Sequence, residues 1–204
     1  PIYNNTVTGN TCNNNNDGIH LDSSNNNTVT GNTCDNNNNS GIYLPTSSNN
    51  TITGNTSVNN NNSGIRLFSG KENTITGNTC NNNHSSGVFL ISISNNNTIT
   101  ANTCNNNNSG IYLSSSSNNN TVTGNTCNNN NDGIHLSSSS RNTVTGNTCI
   151  RGGGQPSDYT SSQYTIRLTS SGSNYNLISS NNCMGKDVAI DDGTGNTSVN
   201  NKYN

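Results

Sequence analysis

Seven cysteines, Cys12, Cys34, Cys80, Cys104, Cys127, Cys149 and Cys183, share one repeated place in a 204-residue chain, and Ser57 fills the gap after the second. Aligned thiols could form disulfides, hold a metal or pack as small apolar groups. Stacked strands set Cα atoms about 4.8 Å apart, inside the disulfide range. Parallel side chains keep their Cβ atoms equally far apart, however, beyond the usual ~3.5–4.5 Å. A tetrahedral zinc needs sulfurs converging from several directions at about 2.3 Å, which one straight column does not supply. The column therefore reads as reduced core thiols, with no metal and no cofactor. Disulfides and a metal stay open as alternatives.

A second repeated place carries His20, Tyr43, Arg66, Phe89, Tyr112, His135 and Arg167. Planar groups in a row could stack on sugar rings or on a protein partner, so these form a candidate ligand-stacking column. The alternative is free surface. A third feature is a double row of threonines: Thr6/Thr8, Thr28/Thr30, Thr51/Thr53, Thr74/Thr76, Thr98/Thr100, Thr121/Thr123 and Thr143/Thr145. On adjacent strands their hydroxyls would lie on a grid of about 4.8 by 6.7 Å. Such a flat face resembles the ice-binding surface of β-solenoid antifreeze proteins, although Thr is also an ordinary solvent-facing strand residue. The acids are sparse. Asp17 and Asp132 precede a glycine where Ser is usual, which reads as a turn role. Asp187, Asp191 and Asp192 gather near the C-terminal end, Asp158 lies in an irregular stretch, and the single Glu, Glu72, is isolated. No facing acid pair is evident in the regular array, so no catalytic residue is assigned and the expectation is a non-enzyme.

These columns exist only if the chain repeats in space. NTVTGNTC runs at 5–12, 27–34, 120–127 and 142–149, with variants at 50–57, 73–80, 97–104 and 176–183. A second element, (D/S)G(I/V)xL, places Ile19, Ile42, Ile65, Val88, Ile111 and Ile134 at equal steps of 23 residues, with degraded copies at Ile166 and Val188. A fixed period of this size marks a solenoid. The apolar-alternating runs are too short for helices and rich in β-branched residues, which favours strands. Poly-Asn and poly-Ser tracts suit the corners, because Asn tolerates left-handed backbone. The composition is 25% hydrophobic with 53 Asn. Apolar burial alone cannot offset the ordering entropy of each coil. Stacked amides must help, and Asn32, Asn55, Asn78, Asn102, Asn125 and Asn147 form one such ladder, two residues before the cysteines. The prediction is an all-β, right-handed parallel β-helix of about nine coils of ~23 residues. It would be a single domain over 1–204, with regular coils at 1–149, an inserted loop at 150–164, and degenerate coils and a cap at 165–204.

Net charge is −2 and the seven Lys and Arg are scattered, so no basic patch points to nucleic acid. No apolar run approaches the ~18 residues of a membrane span. Pro1-Ile2-Tyr3 opens inside a repeat with no signal peptide, which reads as a mature or excised segment. The pattern GNTC…NNNxGIxLxxSxxNxITGN resembles the parallel β-helix repeats of the pectate-lyase-like superfamily, and most closely the NosD-type repeats of archaeal cell-surface proteins. The resemblance covers essentially the whole chain. It implies the fold strongly and function weakly, because this fold carries lyases, hydrolases, phage spikes, adhesins and surface-layer modules. It also hints at copper, which the absence of a Met or His cluster discounts. The functional expectation is a non-catalytic extracellular or cell-surface solenoid with a structural, adhesive or filament-forming role. Its partners would be itself, end to end or laterally, or a surface polysaccharide. Ice binding by the threonine face, or a carbohydrate-binding or carbohydrate-processing β-helix with its site beside the insertion, are the alternatives.

Overall fold

The computed structural model describes Pro1–Tyr203. The strands run β1 (Thr6–Thr8), β2 (Ile19–His20), β3 (Thr28–Thr30), β4 (Ile42–Pro45), β5 (Thr51–Thr53) and β6 (Ile65–Phe68). They continue as β7 (Thr74–Thr76), β8 (Ser86–Ile91), β9 (Thr98–Thr100), β10 (Ser109–Ser114), β11 (Thr121–Thr123) and β12 (Asp132–Ser137). The last are β13 (Thr143–Thr145), β14 (Tyr164–Thr169), β15 (Leu177–Ser179), β16 (Ala189–Ile190) and β17 (Thr197–Val199). The odd strands form one nine-stranded sheet and the even strands an eight-stranded sheet, each in consecutive order. Every pairing is parallel, and the inward aliphatics of the regular coils stand in register, as in Val7↔Val29 and Ile111↔Ile134. The nine expected coils thus appear as eight full turns closed by a ninth strand. A third line of single bridges runs Thr11, Thr33, Thr56, Thr79, Thr103, Thr126, Thr148, Asn182 and Lys202. It marks a third side of the coil and a further threonine column.

The inside of the coil follows from strand alternation. Val29, Ile52, Ile75, Ile99, Val122 and Val144 point in from one sheet, and Ile42/Leu44 with their counterparts point in from the other. Each fully buried aliphatic contributes about 1.5–3 kcal/mol. The cysteines face the second sheet: Cys34, Cys80, Cys104, Cys127, Cys149 and Cys183 are buried, Cys12 is half-buried, and all seven are free. Burial pushes the Cys34 and Cys183 thiols up to about 12, which keeps them protonated. They pack on the glycine of the GIxL element. A Cβ at Gly110 would lie 2.8 Å from the Cβ of Cys127 and 2.5 Å from the carbonyl oxygen of Gly133. A small residue faces a glycine there because the coil is narrow.

Corners repeat one device. A residue in the left-handed region is followed by a buried Asn, as in Asn26-Asn27, Gly31-Asn32 and Asn36-Asn37. Turning the chain this way aims the next side chain inward. Three Asn ladders result, not one. The column through Asn27, Asn50, Asn73, Asn97 and Asn120 and the column through Asn37, Asn60, Asn83, Asn107 and Asn130 accompany the one through Asn32. In each, the backbone N–H of one Asn donates to the Oδ1 of the next, joined at most rungs by its Nδ2, at 3.0 and 3.0 Å for Asn32 to Asn55. The same Nδ2 also donates back, to the Val7 and Thr30 carbonyls at 2.9 and 3.1 Å. A buried amide costs free energy unless it is paired, and here its own copies pair it.

Candidate functional site

The largest break in regularity is at one place. The Asn142 to Asn176 step is 34 residues, against 23 for Asn97 to Asn120. The extra chain, with a 3₁₀ turn at Pro156–Asp158, bonds over the corner at Asn129–Asn131 that leads into the even-numbered sheet. Tyr159 anchors it, its hydroxyl donating to the Cys149 carbonyl at 3.5 Å. Lys186 also ties it down through a 2.8 Å bond to the Thr160 carbonyl.

The outer face of that sheet carries the planar column as a continuous stack. His20 and Tyr43 rings lie 5.0 Å apart, tilted by 45°. The Arg66 guanidinium sits 5.2 Å from the Tyr43 ring and 5.8 Å from the Phe89 ring. Phe89 and Tyr112 are 4.9 Å apart at 2°, and Tyr112 and His135 are 4.6 Å apart at 13°. Parallel strands at ~4.8 Å enforce this spacing. The rings use their faces on one another, leaving edges and polar atoms for a ligand. Arg66 is held by two cation–π contacts, pairs with no carboxylate among the described residues, and its Nε is buried without a partner.

At the insertion the column meets charge. Arg167 donates from Nε to Asp191 Oδ2 at 2.8 Å. Both Arg167 and Lys186 stack on the Tyr164 ring, 4.5 and 4.1 Å from its centroid. Asp132 is 8% exposed, and its Oδ2 lies 3.4 Å from His135 Nδ1. His135 Nε2 is 3.0 Å from Thr169 Oγ1. Burial pushes Asp132 up to about 6 against the pull of Arg167. Burial and then Arg167 hold His135 down at about 4.

Asp17 shows what the insertion changes. The same DGIH motif occurs there, with Asp17 Oδ2 3.8 Å from His20 Nδ1. Asp17 Oδ1 accepts from Asn39 Nδ2 at 2.8 Å and from the Ser40 N–H at 3.0 Å, a turn role as expected. In the coil after Asp132 the place of Asn39 is taken by Gln163, whose Nε2 donates to Asn131 Oδ1 instead. Asp132 Oδ1 is left buried and unpartnered. The turn role expected for Asp132 therefore does not describe it. Only the register across the insertion reveals its neighbours.

The threonine rows lie on the odd-numbered sheet, aligned rung on rung from Thr6/Thr8 to Thr143/Thr145, half-exposed from Thr28 onward, and succeeded by Leu177 and Ser179. An open groove of about 520 Å³ lies beside the even-numbered sheet, lined by Asn82, Asn83, His84, Asn106, Asn107, Asn108 and Asn131.

Fold and surface together define a right-handed parallel β-helix of the pectate-lyase-like kind. Its two halves, residues 2–108 and 91–204, both match the model of the periplasmic copper-binding protein NosD, and the chain belongs to the NosD family. No curated protein matches it by sequence. Among solved structures it is similar to the A-module of the mannuronan C-5 epimerase AlgE6 of Azotobacter vinelandii, at 16% identity and TM-score 0.78, covering 99% of this chain and 57% of that one. It is also similar to the periplasmic alginate epimerase AlgG, at 22% identity and TM-score 0.64, covering 93% and 47%. A third similar structure is the Dettilon tailspike protein gp208, at 18% identity and TM-score 0.69, covering 91% and 47%. The chain spans about half the length of these structures. The copper in the family's description does not fit the donors here. Among the described residues no three of His, Cys, Asp and Glu converge, and the single Met, Met184, stands alone. No described helix is long and apolar enough to cross a membrane.

Proposed function

We propose that the coils carrying β2 to β10 are a non-catalytic binding surface, outside the cytoplasm, for an acidic polysaccharide laid along the even-numbered sheet. The observation that carries this is Arg66, a guanidinium immobilised between two rings with no carboxylate partner. A cation already oriented loses little freedom when it meets an anion, and guanidinium suits carboxylate and sulfate. Arg167 lies four strands away, about 19 Å at ~4.8 Å per strand, so a polyanion can reach both cations. The amide-lined groove beside the stack offers donors and acceptors for sugar hydroxyls. The alginate epimerases it resembles act on a polyanion, which agrees with this reading, and the family's periplasmic description agrees with export.

Electrophoresis through gels containing alginate or a neutral glucan tests it. Retardation by alginate only, reduced by Arg66→Gln, is expected. Equal mobility in both gels, or retardation unchanged in Arg66→Gln, refutes it. The unbroken threonine register favours a second reading, ice binding. Thermal hysteresis abolished by Thr76→Tyr with Thr100→Tyr would establish it, and no hysteresis in the wild type ends it.

A further inference from the structure

We propose that Thr169, His135 and Asp132 form a nucleophile, base and orienting group that hydrolyse small carboxylic esters where β12 meets β14. Asp132 Oδ2 lies 3.4 Å from His135 Nδ1, and His135 Nε2 lies 3.0 Å from Thr169 Oγ1. A hydroxyl, an imidazole and a buried carboxylate in series is the arrangement that activates a weak nucleophile. An ionised carboxylate only accepts. The 3.4 Å contact suits the tautomer with its proton on Nδ1, facing the carboxylate, and in that tautomer Nε2 accepts from the Thr169 hydroxyl. Burial keeps His135 neutral down to about 4, so that lone pair is free.

The array contains its own comparison. Asp17 and His20 repeat the carboxylate and imidazole, but the residue two beyond His20's strand partner Tyr43 is Pro45, where Thr169 stands two beyond Arg167. Asp17 is also held by Asn39 and Ser40. The full set assembles only where the insertion delivers β14. Arg167 lies on the same outer face as Thr169, two residues away or about 6.7 Å along the strand, and the guanidinium nitrogens not bound to Asp191 supply positive charge toward the oxyanion.

The reaction balances with water as co-reactant. Thr169 Oγ1 attacks the ester carbonyl carbon and gives its proton to His135 Nε2. The bond to the alcohol oxygen breaks, and the departing alkoxide takes that proton. Water then attacks the acyl-threonine, His135 takes its proton and returns it to Oγ1, and the carboxylic acid leaves. Asp132 is buried and His135 and Thr169 are only partly exposed, so the acyl group is short, such as acetyl. This activity does not depend on the polysaccharide reading, and a small ester tests it separately.

The full chain should hydrolyse p-nitrophenyl acetate faster than buffer, and a fluorophosphonate should label Thr169, located by peptide mass spectrometry. Thr169→Val should fall to the buffer rate and Thr169→Ser should retain activity. His135→Gln and Asp132→Asn should each lose on the order of 10²-fold or more, with the β-sheet circular dichroism of the parent. A wild-type rate no faster than buffer, a Thr169→Val rate equal to wild type, or a label on another residue overturns the proposal.

Discussion

Replacing Asn125 by Ala tests whether the amide ladders hold the solenoid together. Asn125 is 1% exposed. Its Oδ1 accepts from the Asn102 N–H at 2.9 Å and from Asn102 Nδ2 at 3.0 Å. Its Nδ2 donates to the Ile99 carbonyl at 3.0 Å, the Thr123 carbonyl at 3.2 Å and Asn147 Oδ1 at 2.9 Å. Truncation leaves the buried Asn102 N–H without that acceptor, and an orphaned buried donor costs about 1–3 kcal/mol. Loss of the remaining bonds and a small cavity add to it, for a total of about 3–5 kcal/mol. Asn125→Asp should be worse. It keeps the acceptor but turns a second oxygen toward three oxygen atoms and buries a charge. Asn61 is exposed and bonds no neighbour through its side chain, so Asn61→Ala should stay within about 0.5 kcal/mol. Urea unfolding followed by circular dichroism measures all three. If Asn125→Ala costs no more than Asn61→Ala, or Asn125→Asp costs less than Asn125→Ala, the ladder is not a source of stability.

Further outcomes are expected. Ala101 has φ +54 where six other coils have Gly, so Ala101→Gly should raise stability by about 1 kcal/mol, and an unchanged or lower melting temperature would count against the corner argument. Asp132 titrates near 6 in the folded chain instead of 3.8, so folding binds that proton more tightly and stability rises as pH falls from 6 toward 4. His135 does the reverse, because the unfolded imidazole takes its proton near 6.5 and the folded one only near 4. The two oppose in one window. Asp132→Asn should therefore lose stability on acidification from pH 6.5 to 4, and His135→Gln should gain it. Parallel curves for the two variants would refute the assignment. A thiol reagent should find at most one ready thiol, Cys12, in the folded chain and seven after denaturation, and rapid labelling of several would contradict the buried column.

The coil was legible because its period is carried by residues that differ from their surroundings. Val or Ile between threonines, and Ile-x-Leu after glycine, mark their faces unambiguously. The Asn32 ladder was legible for the same reason, since that Asn sits between Gly and Thr-Cys. The ladders through Asn27 and Asn37 lie inside runs of Asn, where nothing in residue type says which amide turns inward. The left-handed residue just before each decides that, and it is a backbone fact. The planar column was visible as a column. That its rings would cover one another, and that Arg66 would be left unpaired, needed the sheet spacing. Asp132 was hidden by the insertion, because its neighbours Thr169 and Arg167 come from a coil whose register the irregular chain conceals.

Ladders built from identical rungs raise a problem of address. An Asn in one coil hydrogen-bonds equally well to the equivalent Asn of any other coil, so the ladders do not oppose a chain that pairs one whole turn out of place. Such competing alignments flatten the energy gap on which a unique fold depends. The departures from repetition then act as index marks. The 34-residue step into Asn176, the 24-residue steps at Asn73 and Asn78, and Ser57 among the cysteines each fit one alignment only. The most uniform coils are the easiest to misalign, and the irregular ones tell the rest of the solenoid where to begin counting.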